Sequence, residues 1–217
     1  MARDFDGSND AISFSDITGF TTYTICFWIK NQASLTNSSF LGCDNFSATP
    51  RESSILKFRT VNTGRFESHI DGTGGTNDDA WTANENIWRH IVISRNGTTI
   101  TDYRDNSSLG TITVGSGTAD LLNIRLGCHY FSGSNQEFGN CVIGEFCIWT
   151  TNLGANQLGA LFRGVNSFPL EPDVLFASLY GNDSPEGDLS GNARIGTLVD
   201  APSKAPHPQL EHIENYL

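Results

Sequence analysis

Between residues 10 and 150 the chain is written almost entirely in short runs of alternating apolar and polar residues. Clusters of Gly, Asn, Asp, Ser and Thr break these runs roughly every eight to twelve positions. A period of two places successive side chains on opposite faces of an extended strand, so each run can bury one face and wet the other. Residues 23–30 (YTICFWIK) show this most clearly, with Ile25, Phe27 and Ile29 on one face and Cys26 and Trp28 on the other. Further runs fall at 11–14, 39–42, 55–60, 65–70, 88–95, 98–104, 109–114, 122–126 and 141–149. Many short strands joined by turns describe two stacked antiparallel sheets and exclude a parallel α/β sheet. Asn96-Gly97 predicts a type I′ hairpin, and the glycine-rich stretches 71–75 and 115–117 read as loops. Only LGANQLGALFRG carries helical spacing, at Leu153, Leu158, Leu161 and Phe162, with Gly164 as its stop. That helix is expected to cap an edge or an end of the sandwich.

Composition narrows the class further. The 217 residues suit one all-β domain with an appendage, and 14 Phe and 4 Trp supply its core. The 24 acids and 13 bases leave a net charge of -11, which disfavours nucleic acid and anionic membranes as partners. No run of apolar residues is long enough for a transmembrane helix. The opening MARDFDGSND lacks the apolar stretch of a secretory signal, so a reducing compartment is expected. Cys26, Cys43, Cys128, Cys141 and Cys147 are then read as buried free thiols.

The expected organisation is a sandwich over 1–168, a linker with a final apolar strand over 169–180, and an extended arm over 181–217. Five of the seven prolines lie between Pro172 and Pro208, and the arm holds six acids against two bases. Such a segment cannot offset its ordering entropy alone, so its apolar side chains are expected to dock on a partner. The contact candidates are Phe176, Leu179, Tyr180, Leu189, Ile195, Leu198, Val199, Leu210, Ile213, Tyr216 and Leu217.

Four segments carry a resemblance to a known family. Residues 4–12 (DFDGSNDAI) followed by YTICFWIK resemble the opening turn and aromatic strand of laminin-G-like sandwiches. Residues 88–94 (WRHIVIS), 124–127 (IRLG) and 142–149 (VIGEFCIW), the last followed by Asn152-Leu153 and the helix, are similar to later motifs of that family, in the same order. The resemblance implies a concanavalin A-like jelly roll, a fold that hosts both enzymes and binders. Glycoside hydrolysis needs two carboxylates on one strand face, and no E-x-D-x-x-E or E-x-D-x-E run exists here. Glu145 stands alone on its strand, and His90 lies in a core-type alternation. No enzymatic activity and no cofactor are expected.

Family relatives hold calcium in loop carboxylates, which makes Asp71, Asp78 and Asp79 candidate ligands, with Asp6, Asn9 and Asp10 a second cluster. The competing reading is that these are solvated turn residues and that no metal is held. Trp81, the one tryptophan outside a clear strand, is the candidate sugar platform, against packing at a sheet edge. The stretch from Tyr180 to Asn192 resembles a segment that follows laminin-G-like sandwiches in tailed-phage virion proteins. That resemblance implies a capsid cement (decoration) protein, assembled in the host cytoplasm and bound to the major capsid protein or another virion protein, with a homo-oligomer as the default. The alternative it leaves is a glycan-binding, lectin-like tail-fibre or host-adsorption module.

Overall fold

The computed structural model describes residues 2–33, 37–45, 52–60, 63–81, 86–164, 167, 170–179 and 185–206. Two antiparallel sheets face one another. The first runs β11 (Ser107–Thr113), β10 (Thr99–Arg104), β9 (Trp88–Asn96), β4 (Thr22–Asn31), β16 (Asn140–Trp149), β1 (Ala2–Asp6) and β19 (Ser203–Ala205). The second runs β18 (Thr197–Val199), β2 (Ala11–Ser13), β13 (Arg125–Leu126), β5 (Ser38–Asn45), β6 (Glu52–Thr60), β7 (Thr63–Ile70) and β8 (Thr73–Ala80). Short pairs β3 (Ile17–Phe20) with β12 (Ala119–Leu121), and β14 (His129–Phe131) with β15 (Ser134–Gln136), complete the β structure. No helix among the described residues is long and apolar enough to cross a membrane.

Alternation does what the pattern required. Ile25, Phe27 and Ile29 of β4 meet Ile91, Ile93, Ile143 and Ile148 from their own sheet and Ile12, Phe40, Leu41 and Phe66 from the other. Cys26 points the opposite way, into a smaller apolar cluster with Val92, Cys147, Trp149, Leu153, Leu158, Leu161 and Phe176. The helix α1 (Ala155–Phe162) covers that cluster, with Gly164 at φ +85 behind its last turn. It therefore lies on the outer face of the first sheet, not at an edge or an end. All five cysteines are buried thiols.

β16 has β4 on one side and shares its other side between two strands. β1 pairs with its first half, from Asn140 to Ile143, and β17 (Leu175–Ala177) with its second, from Phe146 to Ile148. The changeover falls at a bulge, where Glu145 sits at φ +54.

Two loop readings need correction. Residues 73–80 form a full strand, β8, paired to β7 from Ile70↔Thr73 to Thr63↔Ala80. TGGTNDDA has no alternation and low strand propensity, so it is an edge strand held by its neighbour's backbone. Its glycine is needed there, because a Cβ on Gly74 would lie 2.0 Å from the Ser68 carbonyl oxygen. The Asp71-Gly72 turn has both residues at positive φ (50 and 70), as type I′ demands. At Asn96-Gly97 the strands pair through Asn96↔Thr99, and of the two loop residues only Gly97 is positive (φ 59), which matches type II′.

The arm is the larger correction. Residues 185–206 are a strap on the sandwich itself. β18 pairs with β2 and β19 with β1, so one segment extends the edges of both sheets. Arg3, buried in β1, forms an ion pair with Glu186 and donates to the Pro202 carbonyl at 2.8 Å. Phe176 and Leu179 are buried in the fold, at 3% and 0% exposure. Leu198 and Val199 are half-buried on β18. Only Leu189 (54%) and Ile195 (50%) of the described contact candidates stand exposed. Tyr180, Leu210, Ile213, Tyr216 and Leu217 lie outside the described residues. The strap finds backbone partners on two open edges, which composition alone does not reveal.

One carboxylate clasps the strap. Asp188 accepts from the backbone N–H groups of Phe176 (3.0 Å), Ser190 (2.9 Å) and Arg194 (2.9 Å) and from the Ser190 hydroxyl (2.9 Å). Burial opposes its charge, yet these donors hold its pKa below the usual carboxylate value. Hydrogen bonds to an ionised group are the strong kind, so Asp188→Ala should lower unfolding free energy by about 3 kcal/mol. Urea denaturation of the two proteins measures this, and the m-value should be unchanged.

Candidate functional site

The buried ionisable groups are the first candidates for catalytic chemistry. Burial pushes the carboxyls of Asp102 and Glu145 up to about 7. They do not form a pair. Asp102 follows Ile100 on the inward face of β10, where Asn77 of β8 donates to its Oδ2 at 2.7 Å. Glu145 accepts from the backbone N–H of Ser167 at 3.3 Å, beside the thiols of Cys26 and Cys147 on the outer side of that sheet. They lie on opposite faces of the first sheet, on different strands. These two carboxyls therefore do not form the facing pair, about 5–5.5 Å apart, that retaining hydrolysis needs. His90 is a packed histidine. Its Nε2 is 3.0 Å from Cys26 Sγ, its ring lies 4.9 Å from Trp28 and 6.3 Å from Phe162, and burial lowers its pKa to about 4.

The calcium candidates are dispersed. Asp71 accepts the Gly117 N–H at 2.7 Å and thereby staples two loops. Asp78 forms a bidentate pair with Arg65, at 2.7 and 2.9 Å, on one face of β8. Asp79 points to the other face and pairs with Arg104. Adjacent strand residues face apart, so Asp78 and Asp79 cannot share one ion. The second cluster is turned onto its own backbone, with Asp6 accepting from Ser8 and Asp10 from Asp6 and Ala201. Among the described residues, no three His, Cys, Asp or Glu side chains are placed to hold a metal. Trp81 is 1% exposed and packs 5.9 Å from Phe40, so it is core and not a sugar platform.

An aromatic surface exists elsewhere, on residues 127–139. Both ends of this excursion are tied to the second sheet. The Gly127 N–H donates to Phe40 and the Gly139 N–H to Gly127, while Ser39 bonds Glu137 through backbone and side chain. Between them β14 and β15 form a hairpin around Ser132-Gly133, both at positive φ. It lies across β5 at Gly42, where a Cβ would come within 3.0 Å of the His129 Cα. Arg125 lies on the outward side of β13, with its guanidinium 5.0 Å from the Tyr130 ring and its Nε donating to Asn135 Oδ1 at 3.3 Å. Phe131, half-buried, and exposed Ser134 and Gln136 alternate with Tyr130 and Asn135 along the hairpin and so face its other side. The sequence reading passed over this surface because HYFSGSNQ is too short for alternation, although the Ser-Gly dipeptide between aromatic and polar residues marked a turn.

A laminin-G-type family model, described as the concanavalin A-like lectin/glucanases superfamily, matches residues 6–159, and the chain belongs to that superfamily. Among solved structures it is similar to a putative carbohydrate binding protein from Bacteroides ovatus, with 19% identity and a TM-score of 0.70. That match covers 93% of this chain and 60% of the other. The heptameric SAP-like pentraxin from Limulus polyphemus matches with 14% identity and a TM-score of 0.58, over 74% of this chain and 81% of that one. The Trypanosoma rangeli sialidase in complex with sialic acid matches at 13% identity and 0.53, over 65% of this chain and 22% of the enzyme. At such identities the likeness is one of fold. No curated protein sequence matches the chain.

The buried carboxyls have a measurable consequence. Asp102 and Glu145 keep in the fold protons that the unfolded chain releases near pH 4, so their stabilisation fades as pH rises through 7. His90 acts in the other sense, losing stability as pH falls from 6.5 towards 4. Two groups against one leave a net loss of stability between about pH 5 and 7.5. Asp102→Asn should flatten that slope by a few kcal/mol, as read from denaturation midpoints at pH 5 and pH 8.

Proposed function

We propose that the protein is a non-enzymatic recognition module that binds a saccharide on the surface formed by Arg125, Tyr130 and Asn135. One observation carries the proposal: an aromatic ring, a guanidinium and an amide are gathered on one face of a hairpin pinned to a rigid sheet. Aromatic faces stack on the C–H faces of sugars, amides exchange hydrogen bonds with hydroxyls, and a guanidinium suits a hydroxyl or carboxylate. Loops carried by a stable scaffold are where such function concentrates. Membership of a lectin-containing superfamily and the fold likeness to a carbohydrate binding protein support this reading. The separated positions of Asp102 and Glu145 favour binding over hydrolysis.

A second reading places the same module in a tailed-phage particle, as a capsid cement protein or a host-adsorption component. Residues 180–192, with their resemblance to virion proteins, favour it. The clasp of Asp188 accounts for part of that motif as an intrachain device, so the motif alone does not require a capsid contact. Mass spectrometry of purified heads and tails separates cement from adsorption roles.

The saccharide reading is tested on a glycan array followed by titration of any binder. Tyr130→Ala should weaken binding about tenfold while leaving the denaturation midpoint unchanged. Trp81→Phe, a change in the core, should leave affinity unaltered. An array with no binder for a folded protein would count against this reading.

A further inference from the structure

The clasp of the strap opens on a cleft of about 430 Å³ lined by Glu171, Pro172, Asp173, Phe176, Leu189, Ser190 and Asn192, none of them on the hairpin. Its chemistry is uneven in a way that selects a ligand. The floor is Phe176, almost wholly buried beneath the cleft, and one wall is Leu189, a large apolar side chain left 54% exposed. Most polar groups around it are already committed. Asp173 accepts from the Thr150 N–H at 2.8 Å and from its hydroxyl, Asn192 donates to the Asp173 and Val174 carbonyls at 2.8 and 3.1 Å, and Ser190 donates to Asp188 and Val174. The Arg194 guanidinium is also held, donating to the Val174 carbonyl at 3.0 Å.

Glu171 is different. It stands exposed on a backbone at φ +46, and among the described residues no donor is seated on its carboxylate. A non-glycine residue in the left-handed region is uncommon. The mouth of the cleft therefore presents the Glu171 carboxylate beside a second, Asp173, whose oxygens are bonded to Thr150.

We infer that this cleft is a docking site for a segment of a partner protein that carries a lysine or arginine next to an apolar residue. The cation meets Glu171 and Asp173, and its aliphatic stem and apolar neighbour cover Phe176 and Leu189. The volume suits a side chain with part of its backbone and is small for a folded surface element. Charge complementarity selects the occupant, since a mouth with two carboxylates on a chain of net charge -11 repels acidic segments and favours basic ones. Exposure of Leu189 points the same way, because an apolar side chain beside a cleft gains when a partner removes it from water. The inference does not depend on the saccharide reading, which concerns a different surface.

The test titrates the full-length, ¹⁵N-labelled protein with acetyl-Leu-Arg-Leu-amide and, separately, with acetyl-Leu-Glu-Leu-amide. Saturable amide shifts confined to Asp173, Phe176, Leu189, Ser190 and Asn192, seen with the arginine peptide only, are expected. Glu171→Gln should weaken that binding at least fivefold, as should high salt. Leu189→Ser, a substitution at an exposed position, should weaken it with the spectrum otherwise retained. No saturable shift up to millimolar peptide, equal shifts with the glutamate peptide, or an unchanged affinity in Glu171→Gln would each overturn the inference. A response of these amides to a saccharide in place of the arginine peptide would overturn it too, while leaving the Tyr130 test to stand or fall by itself.

Discussion

β16 is covered on both faces, and most of the architecture follows from what that requires. Its residues from Cys141 to Trp149 are all buried. A strand of this kind needs apolar cover above and below, whereas an ordinary sandwich strand needs it on one side. The inner cover is the opposing sheet. The outer cover has to be imported, and α1 and Leu170 supply it over Cys26, Val92, Cys147, Trp149 and Phe176 of β17. Because β17 is drawn onto β16, the chain that follows is delivered to the sheet edges, where the strap pairs with β1 and β2. The clasp of Asp188 and the cleft beside it exist because that cover has to be locked down.

Buried charge is used throughout as a tie between segments distant in sequence. Arg95 is fully buried and donates to the carbonyls of Phe20, Gly97, Gly115 and Gly117, gathering three loops at one end of the sandwich. Arg3 and Glu186 do the same for the strap, and Asn77 with Asp102 joins the edge strand β8 to the facing sheet. Each group would carry a large desolvation cost if left unpaired: Arg95 is satisfied by backbone carbonyls and Arg3 by a counter-charge, while burial raises the pKa of Asp102 and so favours its neutral form. These ties leave the recognition surface free to vary. The hairpin of residues 127–139 is closed at its base by backbone bonds and contributes little to the core, which is the usual division between scaffold and binding loop.

Reading this chain forward succeeded where burial has a period. Ile25, Phe27 and Ile29 were separable from Cys26 and Trp28 because a pleated strand sends neighbours to opposite faces. The helix was recoverable because Leu158 and Leu161 repeat on one side. It failed where structure is imposed by a neighbour's backbone, as in TGGTNDDA, whose edge strand has no apolar face to announce it. Trp81 carries two readings in sequence, sugar platform or sheet-edge packing, because no alternation surrounds it, and Gly64 and Phe40 leave the space that it fills. Asp71, Asp78 and Asp79 are close in sequence and diverge in space, since a turn and two strand faces separate them.

The sequence by itself determined that this is a sandwich of antiparallel strands with one short helix and an acidic, proline-rich end, because periodic burial and turn chemistry are local properties. Only the tertiary structure decided that residues 185–206 belong to the sandwich and not to an arm seeking a partner. It alone also brought Arg125 against Tyr130 and opened a cleft between Glu171 and Leu189. The physical reason is the same in each case. Hydrogen bonds to open sheet edges, and contacts between residues far apart along the chain, depend on distances that no linear pattern encodes.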